Sequence, residues 1–229
     1  MRNLSPIGLC LSIFVSVLPS QTSAQEAAAR SEPTAAEVAA ARAEGDRLIA
    51  EADAGTWFVS IGGNREAWVL HRASGMICRF EVGQNHNRII IFETTWAARG
   101  DDVGCSMPRA GADLTMYATR YFEPTTPEQA ARDAVAGIKQ RYPRWEAFEG
   151  EDLTASPAGV QTHVARLIVT LDDGRRFYTH ALTGEVDGWI FKQRLSVPEE
   201  LSAEAQMTGA VEWVGTIGYA QARPFDQMD

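Results

Sequence analysis

The sequence predicts an α+β fold in which helices pack on a central antiparallel β-sheet, giving an α-β-α sandwich-like domain. One observation behind this is a run of three strand-like segments between Val160 and Val197, separated by short turns rich in Asp and Gly. Another is the order of elements, which reads helix, several strands, helix, three strands, helix. Because strands and helices do not alternate singly, a parallel sheet is not expected.

The first residues of the chain predict export. Residues 1–24 have the form of a signal peptide, in which Arg2 precedes an apolar run that ends in the small residues Thr22-Ser23-Ala24. The apolar run is shorter than the roughly 20 residues that span a bilayer. We therefore expect a periplasmic or secreted protein with no membrane span after cleavage of the signal.

The composition is acidic, with 30 Asp and Glu residues against 21 Lys and Arg residues. A net charge of −9 disfavours binding to nucleic acid and to anionic lipid surfaces, because both are negatively charged. The expected partner is therefore an unknown protein or small molecule, and no nucleic acid.

Two cysteines, Cys78 and Cys105, remain once the signal peptide is removed. In an exported chain such a pair is most simply one disulfide, which by chain-entropy arguments stabilises the fold by about 3–4 kcal/mol. A reactive thiol or a metal pair is the alternative, but neither a CxxC spacing nor a histidine at ligand spacing supports it. The sequence therefore predicts a disulfide between Cys78 and Cys105.

Residues 25–55 are rich in Ala and Glu and are predicted to form an N-terminal helix and linker. Thr34 and Glu37 make a capping box at the start of the helix. Its apolar stripe is narrow, which suits either loose docking or a role as a spacer. A single α+β domain is expected at 56–220, followed by a flexible tail at 221–229.

The first half of that domain is predicted to be mostly strands. A stretch rich in Gly and Asp at 96–109 reads as a loop, with Cys105 in it or on a short strand. The predicted strands lie at 56–63, 65–72, 75–82, 88–94 and 112–121.

The next helix has clear end signals. Thr126 caps it, Pro127 occupies its first position and Pro143 ends it. A short strand is expected at 145–148, and the three-stranded meander follows.

The last helix is predicted over 197–220, with a capping box formed by Ser196 and Glu199. Spacings of four and three residues define an apolar stripe, which is predicted to lie buried across a sheet face. The stripe consists of Ala203, Met207, Ala210, Val214 and Ile217.

In its order of elements, the chain resembles the Mog1/PsbP/DcrB-like α-β-α sandwiches, which are mid-sized domains among exported and organelle accessory proteins. The resemblance covers roughly residues 56–220 and is one of topology, since no family motif is present to carry a functional residue over. It implies a central antiparallel sheet and, because the family is diverse and mostly non-enzymatic, a lower expectation of catalysis.

No catalytic, cofactor or metal site is predicted. The chain has neither a G-x-S-x-G elbow nor a Cys/His signature. If Asp173-Gly174 forms a two-residue turn, His163 and His180 share one sheet face but lie roughly 13 Å apart, too far for one metal ion.

Two carboxylate pairs offer oxygen ligands for Ca²⁺. They are Asp101-Asp102 and Asp172-Asp173, and neither has the spacing of a known calcium loop. Both are therefore interpreted as turn residues.

Trp96 and Arg99 are the candidate binding residues. They lie in the loop-like segment, inside the ring that the disulfide would close. An aromatic ring and a guanidinium on a stapled loop are typical of a recognition surface. The alternative is that Trp96 only covers the sheet edge.

These features favour an exported, non-catalytic domain of the cell envelope that binds a protein partner or a small ligand. The alternative hypothesis is an envelope hydrolase or thiol enzyme that uses Cys105 or a His-carboxylate pair. The first hypothesis is preferred because no catalytic group of residues is evident.

Overall fold

The structure, a computed structural model, describes residues 32–222. The signal peptide predicted at 1–24 lies outside the described residues, as do residues 223–229 of the predicted tail. Three helices and ten strands are present within the described range: α1 (Ala35–Glu51), β1 (Phe58–Gly62), β2 (Glu66–His71), β3 (Ile77–Glu81), β4 (Arg88–Ile91), β5 (Ala97–Arg109), β6 (Ala112–Tyr121), α2 (Pro127–Arg141), β7 (Trp145–Ala147), β8 (His163–Thr170), β9 (Arg176–Val186), β10 (Trp189–Pro198) and α3 (Ser202–Ala222).

The strands form two antiparallel sheets, which confirms the predicted α+β class. The small sheet has the order β1-β2-β3, and the large sheet has the order β4-β5-β6-β10-β9-β8-β7. The meander β8-β9-β10 is confirmed, and its last strand pairs with β6 to join the two halves of the large sheet.

The loop predicted at 96–109 is wrong, because this stretch forms the long strand β5. Val103 and Cys105 face the core at alternate positions, but the polar residues around them make this strand pattern hard to recognise. The strand pairs with β4 on one side and with β6 on the other. A bulge interrupts the β6 pairing near Gly100, whose φ is 89°. A Cβ there would lie 2.0 Å from the indole nitrogen of Trp57, so only glycine fits.

The predicted register of β8 and β9 is wrong by one residue. The turn holds three residues instead of two, since the Leu171 N–H donates to the carbonyl of Arg175 at 2.8 Å. His180 therefore lies opposite Arg166, and His163 lies opposite Thr183. A one-residue slip moves side chains to the other face, so the two histidines lie on opposite faces of the sheet and not on one.

The predicted disulfide is present, and it connects the two sheets. Cys78 lies on β3 of the small sheet and Cys105 on β5 of the large sheet, with their Cα atoms 6.1 Å apart. Both residues are fully buried in the main core. The bond is therefore an internal link between sheets, and it does not fasten a surface loop.

Helix α1 packs against the small sheet instead of acting as a spacer. The predicted capping box is present, with the Glu37 N–H donating to Thr34 Oγ1 at 3.2 Å and the Thr34 N–H donating to Glu37 Oε2 at 2.7 Å. Leu48 is buried in the main core, and Gly45 brings the helix backbone close to Ser60 on β1.

Helix α2 packs on β8 and β9 and reaches β10. Thr126 is its N-cap as predicted, with Pro127 in the first turn. Its apolar face forms a second, smaller core with the sheet, made of Ile138, Leu167, Val169 and Ala181.

Helix α3 differs from its prediction in both start and face. Strand β10 continues through Pro198, so the helix begins at Ser202 after a single 3-10 turn and no capping box forms at Ser196. The buried face consists of Ala205, Gln206, Gly209, Glu212, Trp213, Thr216, Ile217 and Ala220.

Of the predicted buried stripe on α3, Ile217 is fully buried, whereas Met207 is 55% exposed and Val214 is 40% exposed. The prediction was wrong because small and polar residues make the inward contacts. Gly209, for example, lets the helix approach His180, to whose ring a Cβ would come within 2.9 Å.

The two faces of α3 should respond differently to truncation. We expect Ile217→Ala to lower the free energy of unfolding by about 2–4 kcal/mol, because it leaves a core cavity. Met207→Ala should change it by less than about 0.5 kcal/mol, because that side chain is mostly in solvent. Urea denaturation of both variants measures this, and equal losses would contradict the observed orientation of the helix.

Candidate functional site

One side of the large sheet is only partly covered, and we call it the open face. It is the side of β4, β5, β6 and β10 that points away from the main core, next to the strands that α2 covers. Alternate residues of these strands, such as Cys105 and Met116, point inward and are buried. The open face carries Arg88, Phe92, Gly104, Ser106, Thr115, Tyr117, Lys192 and Arg194.

An aromatic pair lies in the middle of the open face. The rings of Phe92 and Tyr117 have centroids 5.9 Å apart and planes inclined by 27°. Gly104 lies beneath them, and a Cβ there would come within 3.2 Å of both rings. The glycine therefore lets the two rings lie close to the sheet, and both remain half-exposed.

Lys192 lies beside this aromatic pair. Its Nζ lies 5.6 Å from the ring centroids of Tyr117 and of Tyr121, and it donates to the Tyr121 hydroxyl at 3.2 Å. Cation–π contacts of this kind position an ammonium without neutralising it. The charge of Lys192 is therefore held in place and remains uncompensated by any carboxylate of the described residues.

A pocket of about 230 Å³ lies where the C-terminal end of α2 meets β6 and β10. Two arginines, Arg141 and Arg194, line it together with Thr115 and Ser196. The remaining lining residues are Asp113, Tyr117 and Tyr142. The pocket thus combines cations and hydrogen-bonding hydroxyls, with one carboxylate at its side.

Trp96 lies just before β5 and not in a stapled loop. It is 52% exposed, and its indole N–H donates to Asp102 Oδ2 at 3.0 Å. Since Asp102 pairs with Thr119 on the open face, Trp96 borders the end of that face. Arg99 forms an ion pair with Glu93, and its guanidinium carbon lies 5.2 Å from the centre of a Trp57 ring.

The two carboxylate pairs are used internally. Asp102 accepts from Trp96 and from Thr119 Oγ1, the latter at 2.8 Å, so it belongs to β5 and the predicted turn there is wrong. Asp173 lies in a turn as predicted and pairs with Arg175. Among residues 32–222, no cluster of three or more potential metal ligands is found.

His180 is the centre of a buried polar chain under α3. Gln193 donates to the Gly209 carbonyl at 2.9 Å, which directs its Oε1 toward His180 Nε2, also at 2.9 Å. The Nε2–H therefore donates to Gln193, and Nδ1 accepts from the Tyr178 hydroxyl at 3.1 Å. Burial lowers the pKa of His180 to about 4, although the bond to Gln193 acts in the opposite direction.

His71 is held in a similar way between the small sheet and β5. Its Nε2–H donates to the Gly100 carbonyl at 3.1 Å, and its Nδ1 lies 2.8 Å from Ser74 Oγ. Burial lowers the pKa of His71 to about 4. His71 and Ser74 are both buried, so this Ser-His contact is closed to a substrate.

A larger cleft of about 560 Å³ lies between α1 and residues 83–89. Its charged groups are mostly paired, since Arg47 binds both Glu44 and Glu51 in bidentate fashion. These ion pairs raise the pKa of Arg47, its bond to Glu44 having the larger effect. The cleft is therefore less suited than the open face to recognise a charged partner.

Sequence reasoning missed Tyr117, Lys192, Arg194 and Arg141. The alternation of β6 and β10 indicates that Tyr117, Lys192 and Arg194 point away from the core, and this signal was available. That β6 and β10 are neighbours is set by the tertiary fold, because 67 residues separate Tyr121 of β6 from Trp189 of β10.

None of the helices within residues 32–222 has the length and apolarity that crossing a membrane requires.

No protein-family model and no curated protein sequence matches this chain. Among solved structures, it is similar to PA94 of Pseudomonas aeruginosa, a protein of unknown function, with 12% identity, a TM-score of 0.37 and coverage of 63% of this chain and 94% of that one. It is similar to LpqN of Mycobacterium tuberculosis, which is involved in cell envelope biogenesis, with 14% identity, a TM-score of 0.29 and coverage of 56% and 82%.

A third similar structure is the Ran-binding protein Mog1p of Saccharomyces cerevisiae, with 8% identity, a TM-score of 0.32 and coverage of 72% of this chain and 92% of that one. Mog1p bears the name of the family that the order of elements resembles, so the expected resemblance is found, at the level of topology. Because the three TM-scores are below 0.5, these likenesses carry nothing about function.

Proposed function

We propose that this protein is an exported, non-catalytic binding domain of the cell envelope, which holds a protein partner or a small ligand on the open face. The observation that carries the proposal is the uncovered group of aromatic and cationic side chains at Tyr117, Lys192 and Arg194. Half-exposed aromatic rings next to cations are the usual composition of recognition surfaces.

The arrangement is ordered before any ligand binds, which supports the same conclusion. The absence of a side chain at Gly104 lets the Phe92–Tyr117 pair lie close to the sheet. Lys192 is positioned by a hydrogen bond to the Tyr121 hydroxyl and by cation–π contacts with Tyr117 and Tyr121. A preorganised surface loses less conformational entropy on binding than a flexible one. Trp96 extends the aromatic surface at the end of the face, whereas Arg99 is already paired with Glu93.

Two features support export. The N-terminal sequence at 1–24 has the order of a cleavable signal. The Cys78–Cys105 disulfide is the form expected in an oxidising compartment such as the periplasm.

The enzymatic alternative receives no support from the arrangement of its residues. The sulfur of Cys105 is committed to the disulfide and is buried, so it offers no thiolate nucleophile. The hydrogen-bond partners of His180 and His71 are Tyr178, Gln193, Ser74 and the Gly100 carbonyl, none of which is a carboxylate.

Native mass spectrometry of the protein recovered gently from its own cells tests the proposal. We expect a polypeptide that begins at or near Gln25 and carries an additional bound species. Tyr117→Ser should lose that species without unfolding, because Tyr117 is only half-buried. A wild-type protein that carries nothing, or a Tyr117→Ser variant that retains the same species, would contradict binding at the open face.

A further inference from the structure

We infer that the open face binds an acidic, extended segment of a partner protein, and that Arg141, Lys192 and Arg194 recognise its carboxylates. This inference rests on the proposed function, since it names the chemistry of the partner at the same surface. Three observations support it: these cations have no carboxylate partner in the described residues, Lys192 and Arg194 are regularly spaced on the sheet, and polar and aromatic side chains surround them.

The pairing of charges is the first argument. The chain has 30 acidic against 21 basic residues, so carboxylates are in excess, and most described arginines have a carboxylate partner within 4.0 Å. Seven cations of the described residues have no such partner. Lys192, Arg194 and Arg88 lie on the open face and Arg141 lies at its border, whereas Arg42 is on α1, Arg72 follows β2 and Lys139 is on α2. A group of unpaired cations on an acidic protein is complementary to an external anion.

The spacing of the cations is the second argument. Lys192 and Arg194 are two residues apart on β10 and point to the same side of the sheet. This places their backbones about 7 Å apart. Acidic side chains at alternate positions of an extended peptide repeat at the same distance, so one such segment can meet both cations at once.

The surroundings of Arg194 are the third argument. Thr115 lies opposite Arg194 on the neighbouring strand, so its hydroxyl can join the guanidinium in binding a carboxylate. The Ser196 hydroxyl is not free to donate, because it donates to Thr179 Oγ1 at 2.9 Å. Hydroxyl donors add hydrogen bonds to a carboxylate already held by a guanidinium. The Phe92–Tyr117 pair lies next to them and can pack against the apolar parts of the same segment.

Two negatively charged groups at the pocket would repel an anion, and we infer that both Arg141 and Arg194 are needed to offset them. Asp113 lines the pocket, and the C-terminal end of α2, at Arg141 and Tyr142, carries the partial negative charge of a helix terminus. Arg194 alone would be largely offset by these groups. Arg141, in the last turn of α2, restores a net attraction for carboxylates.

A synthetic peptide provides the probe. It is short, has blocked ends and alternates Glu with Thr, and its binding to the ¹⁵N-labelled protein is followed by nuclear magnetic resonance at low salt. We expect chemical-shift changes on β6, β10 and the end of α2. The same peptide with Gln in place of Glu should bind at least about tenfold more weakly, which corresponds to about 1.4 kcal/mol.

Charge reversal assigns the binding to these residues. Arg141→Glu combined with Arg194→Glu should weaken binding of the Glu peptide at least about tenfold. Arg42→Glu combined with Arg72→Glu is the matched control, since it changes the net charge equally at two exposed positions away from the open face, and it should leave the affinity within about twofold. Inorganic phosphate and phosphatidylglycerol vesicles are run in parallel, and neither should produce the same shifts.

The inference is overturned if the Glu and Gln peptides bind alike, if the double reversal has no effect, or if phosphate or vesicles bind there in place of the peptide. These outcomes are distinct from failure of the proposed function. If the species bound in cells is lost in Tyr117→Ser but unaffected by the double reversal, the open face is the binding surface and its partner is not acidic.

Discussion

Lowering the pH from 6.5 to 4 should reduce the free energy of unfolding by about 3 kcal/mol for each of two buried histidines, His71 and His180. Both have a pKa of about 4 in the folded protein, chiefly because burial disfavours the charged imidazolium. In the unfolded chain their pKa returns to the ordinary value of about 6.5.

The sign follows from which state binds protons. Above pH 6.5 both states hold neutral histidines, and stability is complete. Between pH 6.5 and 4, His71 and His180 become protonated in the unfolded chain but stay neutral in the folded protein, so the free energy of unfolding falls with decreasing pH. Below pH 4 the histidines cause no further loss of stability. Further loss then comes from protonation of carboxyl groups with a lowered pKa, such as Glu44 beside Arg47 and Asp152 beside Thr154.

Urea denaturation at intervals between pH 7 and pH 4 measures this loss. His180→Gln should reduce the slope of stability against pH by about 1.4 kcal/mol per pH unit, whatever it costs in absolute stability. His86→Gln, at an exposed position, is the matched control and should leave the slope as it is. A slope that is the same in wild type and in His180→Gln would show that His180 is not kept neutral by burial.

Reducing the Cys78–Cys105 disulfide should lower the free energy of unfolding by about 3–4 kcal/mol. For a domain of this size such a loss lowers Tm by roughly 6–16 °C. The bond matters because the two sheets share no backbone ladder. Once the bond is broken, β3 is held against β5 by side-chain packing and by Arg109, which donates to the Arg79 carbonyl and pairs with Glu81.

The order in which backbone amides begin to exchange after reduction shows whether the disulfide links the two sheets or restrains a loop. Residues 103–106 in the middle of β5 are paired with β4 on one side and β6 on the other, so their amides should stay protected after reduction. Amide exchange should accelerate first in β1, β2 and β3. The Cys78→Ala/Cys105→Ala variant should behave like the reduced wild type. A loss below about 1 kcal/mol, or exchange that accelerates at 103–106 before it does in β1, β2 and β3, would contradict this role.

Local sequence signals were sufficient for much of the fold. Thr126 and Pro127 fix the start of α2, and the alternation of apolar residues fixes most of the strands. Long-range pairing was not predictable in the same way. Strand β5 has few residues with strand preference and exists because β4 and β6 bind it on both sides, which is a tertiary effect.

The candidate site was predicted less well than the fold. Trp96 and Arg99 stood out because 96–109 reads as a loop, and both are now seen to make contacts within the protein. The open face depends on β10 lying beside β6, which brings Lys192 opposite Tyr117. The apolar periodicity of a single segment does not show which strands are neighbours. It also does not show that Gly209 lies on the buried face of α3.

Site-specific photo-crosslinking in cells that produce the protein tests directly whether the open face binds a partner. A photoreactive residue is placed at Ser106 or Thr115 on the open face, and at Val211 on the exposed apolar side of α3, where 65% of that residue is accessible. We expect both open-face positions to capture the same species and Val211 to capture none of it. Capture from Val211 with none from Ser106 or Thr115 would contradict it and would make α3 the binding surface.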